Sequence, residues 1–445
     1  MQPEKRVVVT GLGVVSPLGN DPDELFGRLL AGETGIRELT HFDTASCPCK
    51  IGAPVDGFEV RDFISDRDTL RNVRMMDPVH VWALCAASGA LVDADLEAGL
   101  LGAGRGTVDR SRVGVSIGTG LSGRRFIEQV IRAAFADRST WGDLTPDELF
   151  RRAGDFIVQL NPVEFLQQCP SLASSYVAMR YRATGPSITL VSLCAAGAQA
   201  IGEGAAAVSR GDADVIVAGG ADSMLNLVDL TAFCALGAVT GKSAEGASAS
   251  RPFDLTRDGC VVGEGAAFVV LEELEHALRR DARIYAELRG YGTTNDAYKV
   301  SAPPEDGEGA FLSMRRALDR AGLDASEIDH VNAHGTSTPL NDRIETHALK
   351  RLLGRHAYEV TATSTKSMIG HLIAAAGAIE AVVTVKTLEQ QRIHPTLNLA
   401  TPDPNCDLDY VPGAARSDPS IRVALSNSFA IGGVNATLVF ERWAA

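Results

Sequence analysis

No run of eighteen apolar residues occurs anywhere in the 445-residue chain, so the sequence predicts no membrane-spanning helix. Positive charge is in deficit. With Lys+Arg 42 against Asp+Glu 56, the formal net charge is -14, which argues against nonspecific binding to nucleic acid and leaves charge to act only through local patches. Aromatic residues are scarce at 6%. Signal-peptide patterning is missing and the eight cysteines fall at irregular spacings, so we expect a reducing, cytoplasmic setting and no disulfide framework. Cys47-Pro48-Cys49 is the one close pair, and it lacks the second pair or the histidines of a zinc site. What is present is small and apolar: 44 glycines, many alanines and a hydrophobic content of 45%. That composition predicts closely packed α/β layers with tight turns and a sizeable core.

Residues 6–17 read as a strand broken by glycines and proline; they carry neither G-x-G-x-x-G nor G-x-x-x-x-G-K, so a tight turn explains them better than a phosphate loop. A helix is predicted over 21–31, an irregular surface excursion over 40–65 and a buried Ala-rich helix over 79–91. Arg61, Arg67, Arg71 and Arg74 cluster among Asp62, Asp66 and Asp68. They suit a salt-linked solvated face or a docking patch for an acidic or phosphorylated carrier. A strand at 113–117 meets a glycine turn at 118–123, and 126–169 reads as inserted helices and loops able to line a pocket or a subunit contact. Two later strands, at 212–223 and 266–271, end or begin in glycines. From 284 the pattern restarts with a strand entering a glycine turn, a helix over 309–321, a strand at 328–333 and a small-residue helix over 368–388. We therefore expect two related α/β halves, 1–272 and 273–445, sharing one core.

The chemistry centres on 185–202, a short strand that stops at Cys194 and turns into a small-residue helix. A cysteine there meets unpaired helix N–H groups that favour a thiolate, although a cysteine taken alone reads first as a small buried residue. His334 follows a strand in Asn332-Ala333-His334-Gly335-Thr336-Ser337-Thr338, and His371 stands near a helix start in Lys366-Ser367-Met368-Ile369-Gly370-His371. Asn427-Ser428-Phe429-Ala430-Ile431-Gly432-Gly433 makes a small-residue corner. Each histidine alone suits a hydrogen-bonded core position, and a Cys/His/His metal site lacks any local ligand spacing. Together they suit acyl chemistry, with a thiol attacking a thioester and two neutral imidazole N–H groups facing an oxygen that gains negative charge.

In these four motifs, and over nearly its whole length, the sequence resembles the elongating β-ketoacyl-[acyl carrier protein] synthases, condensing enzymes of the thiolase-like fold that include type II polyketide ketosynthases. The resemblance implies a five-layer α-β-α-β-α core and a decarboxylative Claisen condensation. Cys194 would accept an acyl group, with N–H groups of Cys194 and the Phe429 turn holding the oxyanion, while His334 and His371 stabilise the malonyl-derived enolate. It further implies that Lys366 organises the site with Glu345, that Thr336 and Thr338 bind the pantetheine arm, and that Asp342 gives local support. No resident cofactor or metal is implied, because phosphopantetheine arrives on an acyl carrier protein. The implied assembly is a dimer, with another copy or with a chain-length-factor-like subunit, and the insertion at 126–169 is a candidate contact.

Several positions depart from the family pattern. Ile431 replaces the aromatic that gates the acyl pocket, Leu193 replaces a small residue before the nucleophile, and Gln199 occupies a position often taken by histidine. Leu121 and Phe233 fall where acyl-pocket residues are expected. Two other classes compete: a noncatalytic chain-length-control subunit, against which the intact Cys194 argues, and a CoA-dependent thiolase-fold acyltransferase. The latter commonly needs a second reactive cysteine, and Cys234, Cys260 and Cys406 lack an accompanying motif for that role.

Overall fold

The computed structural model describes residues 4–102, 108–135, 145–160 and 165–444. Ten strands form one hydrogen-bonded sheet: β1 (Val7–Val15), β2 (Val113–Thr119), β3 (Ser187–Leu190), β4 (Val215–Asp222), β5 (Gly265–Glu273), β6 (Ala286–Asn295), β7 (His330–Asn332), β8 (Thr361–Thr363), β9 (Val423–Phe429) and β10 (Val434–Arg442). Their order is β8-β7-β9-β10-β6-β1-β5-β4-β2-β3. The middle of that row is its weakest join, since β1 and β6 share only Val8↔Glu287 and Val9↔Ala286. On either side the wiring repeats. β5 runs antiparallel to β1 and β4, and β2 runs parallel to β4 and β3. Likewise β10 runs antiparallel to β6 and β9, and β7 runs parallel to β9 and β8.

The helices that matter here are α1 (Pro78–Asp93), α2 (Ala196–Arg210), α3 (Leu227–Ala235), α4 (Glu308–Ala321), α5 (Pro339–Leu353) and α6 (Ala376–Gln390). α1 starts at Pro78 behind an Asp77 cap and is apolar almost all round, which is the pattern of a helix buried on more than one face. It covers β1, β5 and β4, while α4 covers β6 and β10. Between the two five-stranded groups lie α2 and α6, packed on each other and on strands of both sides. This is the α-β-α-β-α layering of a thiolase-like α/β fold. Small residues let the middle layer close. A Cβ on Gly197 would lie 2.8 Å from the Ala374 carbonyl oxygen, and one on Gly377 would lie 2.8 Å from the Ala198 Cβ.

Two details differ from the sequence expectations. β3 ends at Leu190, and Cys194 sits in a 3-10 turn, Leu193–Ala195, ahead of α2. The run expected as one helix over 368–388 is broken into Lys366–Ile369, a 3-10 turn at Ile373–Ala375 and α6. Gly370 at φ +68° and Ile373 at φ +48° stop the helical path between them. Parts of the 126–169 stretch, 136–144 and 161–164, lie outside the described residues; the rest includes helices at Arg124–Ala134 and Pro146–Ile157.

Candidate active site

Leu193 holds a left-handed φ of +49°, which turns the chain sharply from β3 into α2 and presents Cys194 at the corner. Such a backbone is uncommon for a non-glycine residue and persists where its surroundings enforce it. Gly118 on β2 makes the corner possible, because a Cβ there would lie 2.2 Å from the Ala196 carbonyl carbon. His334 leaves the end of β7 and His371 follows the broken turn after Lys366. Cys194, His334, His371 and Lys366 are all buried. His371 Nε2 lies 3.0 Å from Cys194 Sγ, and the His334 and His371 rings meet edge to face at 5.3 Å between centroids. Cys194, His334 and His371 line one cavity of about 370 Å³.

The protonation pattern follows from this packing. His371 Nδ1 accepts the Ile373 backbone N–H at 3.3 Å, which places the imidazole proton on Nε2, facing the sulfur. Burial and the neighbouring Lys366 charge hold both imidazoles well below the ordinary histidine value, so both are neutral N–H donors. The Cys194 thiol corrects the thiolate expectation. Burial pushes it up to about 11, against the opposing pull of Lys366 and of the Ile431 and Cys194 backbone N–H groups. Helix-start donors are present, but desolvation outweighs them in the resting site.

Lys366 requires a second correction. Its ammonium pairs with Glu380, a buried acid on α6, and not with Glu345. Burial raises the Glu380 carboxyl to about 7, opposed by Lys366, and its second oxygen has no hydrogen-bond partner among the described residues. Glu345, on α5, instead fixes the histidine loop. Its carboxylate accepts the backbone N–H groups of His334 at 2.8 Å and Gly335 at 2.9 Å, and the Asn427 side-chain amide at 3.2 Å. Asp342 takes the Phe253 N–H at 2.9 Å and faces Arg257 at 3.4 Å, a scaffold contact. The thiol and two imidazoles have ligand atoms within 4.8 Å of one another, a spacing that also suits a metal ion. The Lys366 charge beside them opposes a cation there.

Thr336 and Thr338 line the same cavity with their hydroxyls 3.0 Å apart, and Phe233, Phe429 and Ile431 also line it. The Phe429 ring packs on His334 at 5.8 Å between centroids. Two expected pocket residues lie elsewhere. Leu121 is 51% exposed and Gln199 is engaged on the far side of the corner, its amide accepting from Ser192 at 2.6 Å and donating to Thr293 at 2.9 Å. Neither lines the cavity. Two buried residues were missed from the sequence, Glu380 and Asp222, whose carboxylate accepts the Ala374 N–H at 3.0 Å, while Cys260, set aside there for want of a motif, lies in the cavity wall. A lone acid inside an apolar helix was the available signal for Glu380; Cys260 and Asp222 carry none in local spacing.

The comparisons with known proteins agree with this geometry. The family described as "Beta-ketoacyl synthase, N-terminal domain" matches residues 4–277, and "Beta-ketoacyl synthase, C-terminal domain" matches residues 285–400. The 3-oxoacyl-[acyl-carrier-protein] synthase 2 of Synechocystis sp. is 40% identical over 440 residues, 99% of each chain. A type II polyketide-synthase ketosynthase, solved with its acyl-carrier protein and bound to the hexaketide, superposes with a TM-score of 0.85 at 32% identity, covering 99% of this chain and 100% of that one. The ishigamide ketosynthase/chain length factor gives 0.84 at 32% identity, with the same coverage. Among the described residues no helix is long and apolar enough to cross a membrane. With the thiol and both histidines at one cavity, and the Lys366 charge acting on both imidazoles, the chain belongs to the β-ketoacyl synthase family of condensing acyltransferases.

Proposed function

We propose that the protein condenses an acyl thioester with malonyl-[acyl carrier protein], in fatty-acid or type II polyketide synthesis, and that Cys194 is its acyl acceptor. The carrying observation is the 3.0 Å approach of His371 Nε2 to Cys194 Sγ at a cavity that His334 also lines. In the first half-reaction Cys194 attacks the carrier thioester, the carbonyl oxygen rests against the Cys194 and Ile431 N–H groups, and the carrier thiol leaves with the cysteine proton. In the second, malonyl-carrier loses CO2 while the His334 and His371 N–H groups hold the enolate oxygen. The enolate carbon attacks the acyl–Cys194 carbonyl, the C–S bond breaks, and the sulfur takes up one proton. The product is a β-ketoacyl-carrier longer by two carbons. The Lys366–Glu380 pair sets the potential at both imidazoles, Glu345 positions the His334 loop, and Thr336 and Thr338 hydrogen-bond the pantetheine arm.

We assign carrier docking to Arg61, Arg67, Arg71 and Arg74. All four are exposed and none forms an ion pair among the described residues; Asp66, interleaved with them, pairs with Arg180 instead. An acidic carrier supplies the missing counter-charge. The exposed side chains of Phe150, Val158, Met179 and Val191, and the edge position of β3 in the sheet, support a dimer contact with a second copy or a chain-length-factor-like chain. Eight free cysteines support a cytoplasmic setting. The strand wiring supports reading 1–272 and 273–445 as related halves. Mass spectrometry of carrier-bound products, with linear, branched and unsaturated acyl primers plus malonyl-carrier, tests the reaction. A two-carbon extension with CO2 release is expected; acyl transfer surviving Cys194→Ala overturns the assignment.

A further inference from the structure

Five of the eight cysteines, Cys47, Cys49, Cys194, Cys234 and Cys260, pack in or against one apolar cluster. Of the four others, only Cys260 shares the reaction cavity with Cys194. It is tied to the same imidazole. The next residue, Val261, accepts the His371 backbone N–H at 2.7 Å, the Gly263 N–H donates back to the His371 carbonyl at 2.9 Å, and His371 Nε2 faces Cys194 Sγ. Burial pushes the Cys260 thiol up to about 12, and a thiolate at Cys194 opposes its ionisation further. The Cys49 thiol is already engaged, donating to the Ile51 carbonyl at 3.5 Å. A second buried thiol in the wall of the same cavity has no part in the proposed condensation chemistry.

We propose that Cys260 is a resolving thiol for Cys194, so that peroxide converts the pair to a reversible Cys194–Cys260 disulfide. A hydroperoxide enters by the cavity that admits the substrate arm. The Cys194 sulfur displaces one oxygen, giving Cys194–SOH with release of water (or the alcohol of an organic peroxide). The Cys260 sulfur then attacks the sulfenic sulfur, the S–O bond breaks, and the hydroxide leaves as water with the Cys260 proton. Two electrons pass from the two thiols to the peroxide, and a dithiol reductant reverses the change. Both thiols rest protonated, but three N–H donors face the Cys194 sulfur and stabilise its thiolate as it forms, so oxidation starts there.

The test exposes the reduced, acyl-free enzyme to graded hydrogen peroxide, followed by non-reducing digestion and mass spectrometry. The readout is Cys194 alkylation by iodoacetamide before and after dithiothreitol, which does not depend on condensation activity. Expected are a linked Cys194–Cys260 peptide pair two hydrogens lighter than the free peptides and recovery of alkylation after reduction. In Cys260→Ala and Cys260→Ser, each confirmed folded by circular dichroism, peroxide carries Cys194 on to the sulfinic acid and recovery is lost. Wild-type protein that goes directly to sulfinic acid, a disulfide from Cys194 to Cys49 or any other cysteine, or equal recovery in both variants overturns the proposal.

Discussion

Two chain corners face each other across the central layer, one leading into α2 and the other into α6. Each is a three-residue 3-10 turn that opens on a non-glycine residue with left-handed φ, Leu193 at +49° and Ile373 at +48°, and runs into a fifteen-residue helix. Ala374 stands in the second corner where Cys194 stands in the first. The decisive difference lies in who takes the backbone donor. Asp222, at the end of β4, fills the Ala374 N–H with a carboxylate oxygen, whereas the Cys194 N–H is turned toward its own sulfur and Phe429 ends the matching strand. Repeated topology thus supplies the same buried donor twice. An unsatisfied donor is costly, so one is plugged, and under the proposed mechanism the other meets the charge that develops during reaction.

The sharpest way to break this comparison is to exchange the corners. Cys194→Ala should lower acyl transfer by about three orders of magnitude or more, measured by intact-protein mass spectrometry. Adding Ala374→Cys to that variant should restore no acyl label, since Asp222 occupies the donor; a label on the new thiol would show that the corners are chemically equivalent. Next in size, Glu380→Ala strands the Lys366 charge in the interior and should cost about 3–5 kcal/mol in denaturant unfolding, with Glu380→Gln milder.

Asp222→Asn turns one of two accepting oxygens into a donor facing the Ala374 or Ser223 N–H, a loss of about 1–3 kcal/mol. It also tests linkage. Burial raises Asp222 from 3.8 to about 7, so between those values the folded protein binds more protons than the unfolded chain and stability falls as pH rises. Glu264 and Glu380 are raised to about 7 as well, so the variant should flatten the pH 4 to 7 decline in part. The smallest effect is expected at Gln199, which links Ser192 before the first corner to Thr293 on β6. Gln199→Ala should cost about 1 kcal/mol in thermal unfolding and leave the product chain length unchanged, because the side chain does not line the cavity.

What the sequence made legible was chemistry carried by short runs. Cys194, His334, His371, Thr336 and Thr338 each sit in a local pattern whose turn geometry follows from its glycines and small residues, and the structure brings them to one cavity. Pairings across long separations were not legible. Lys366 meets Glu380 only because Gly370 and Ile373 break the helix between them, so no helical spacing rule applied, and Glu345 was drawn to the wrong partner. Leu121 and Gln199 were placed in the pocket by position alone, while a shift of one residue along the chain turns a side chain to another face. The thiol's ionisation was misjudged for a related reason: a helix start is visible in sequence, but the depth at which it is buried is not.

The closeness of the two central helices carries a consequence for how the enzyme can be divided. Gly197 leaves no room for a methyl group against Ala374, and Gly377 leaves none against Ala198 or the Ser428 hydroxyl. The corner without a thiol is therefore the mould in which the reactive one is cast. Either half made alone would expose its inner helix and lose the surface that sets the nucleophile's place. The half without the thiol supplies the two histidines as well as that packing surface, so the two could be severed in sequence only if they assembled again.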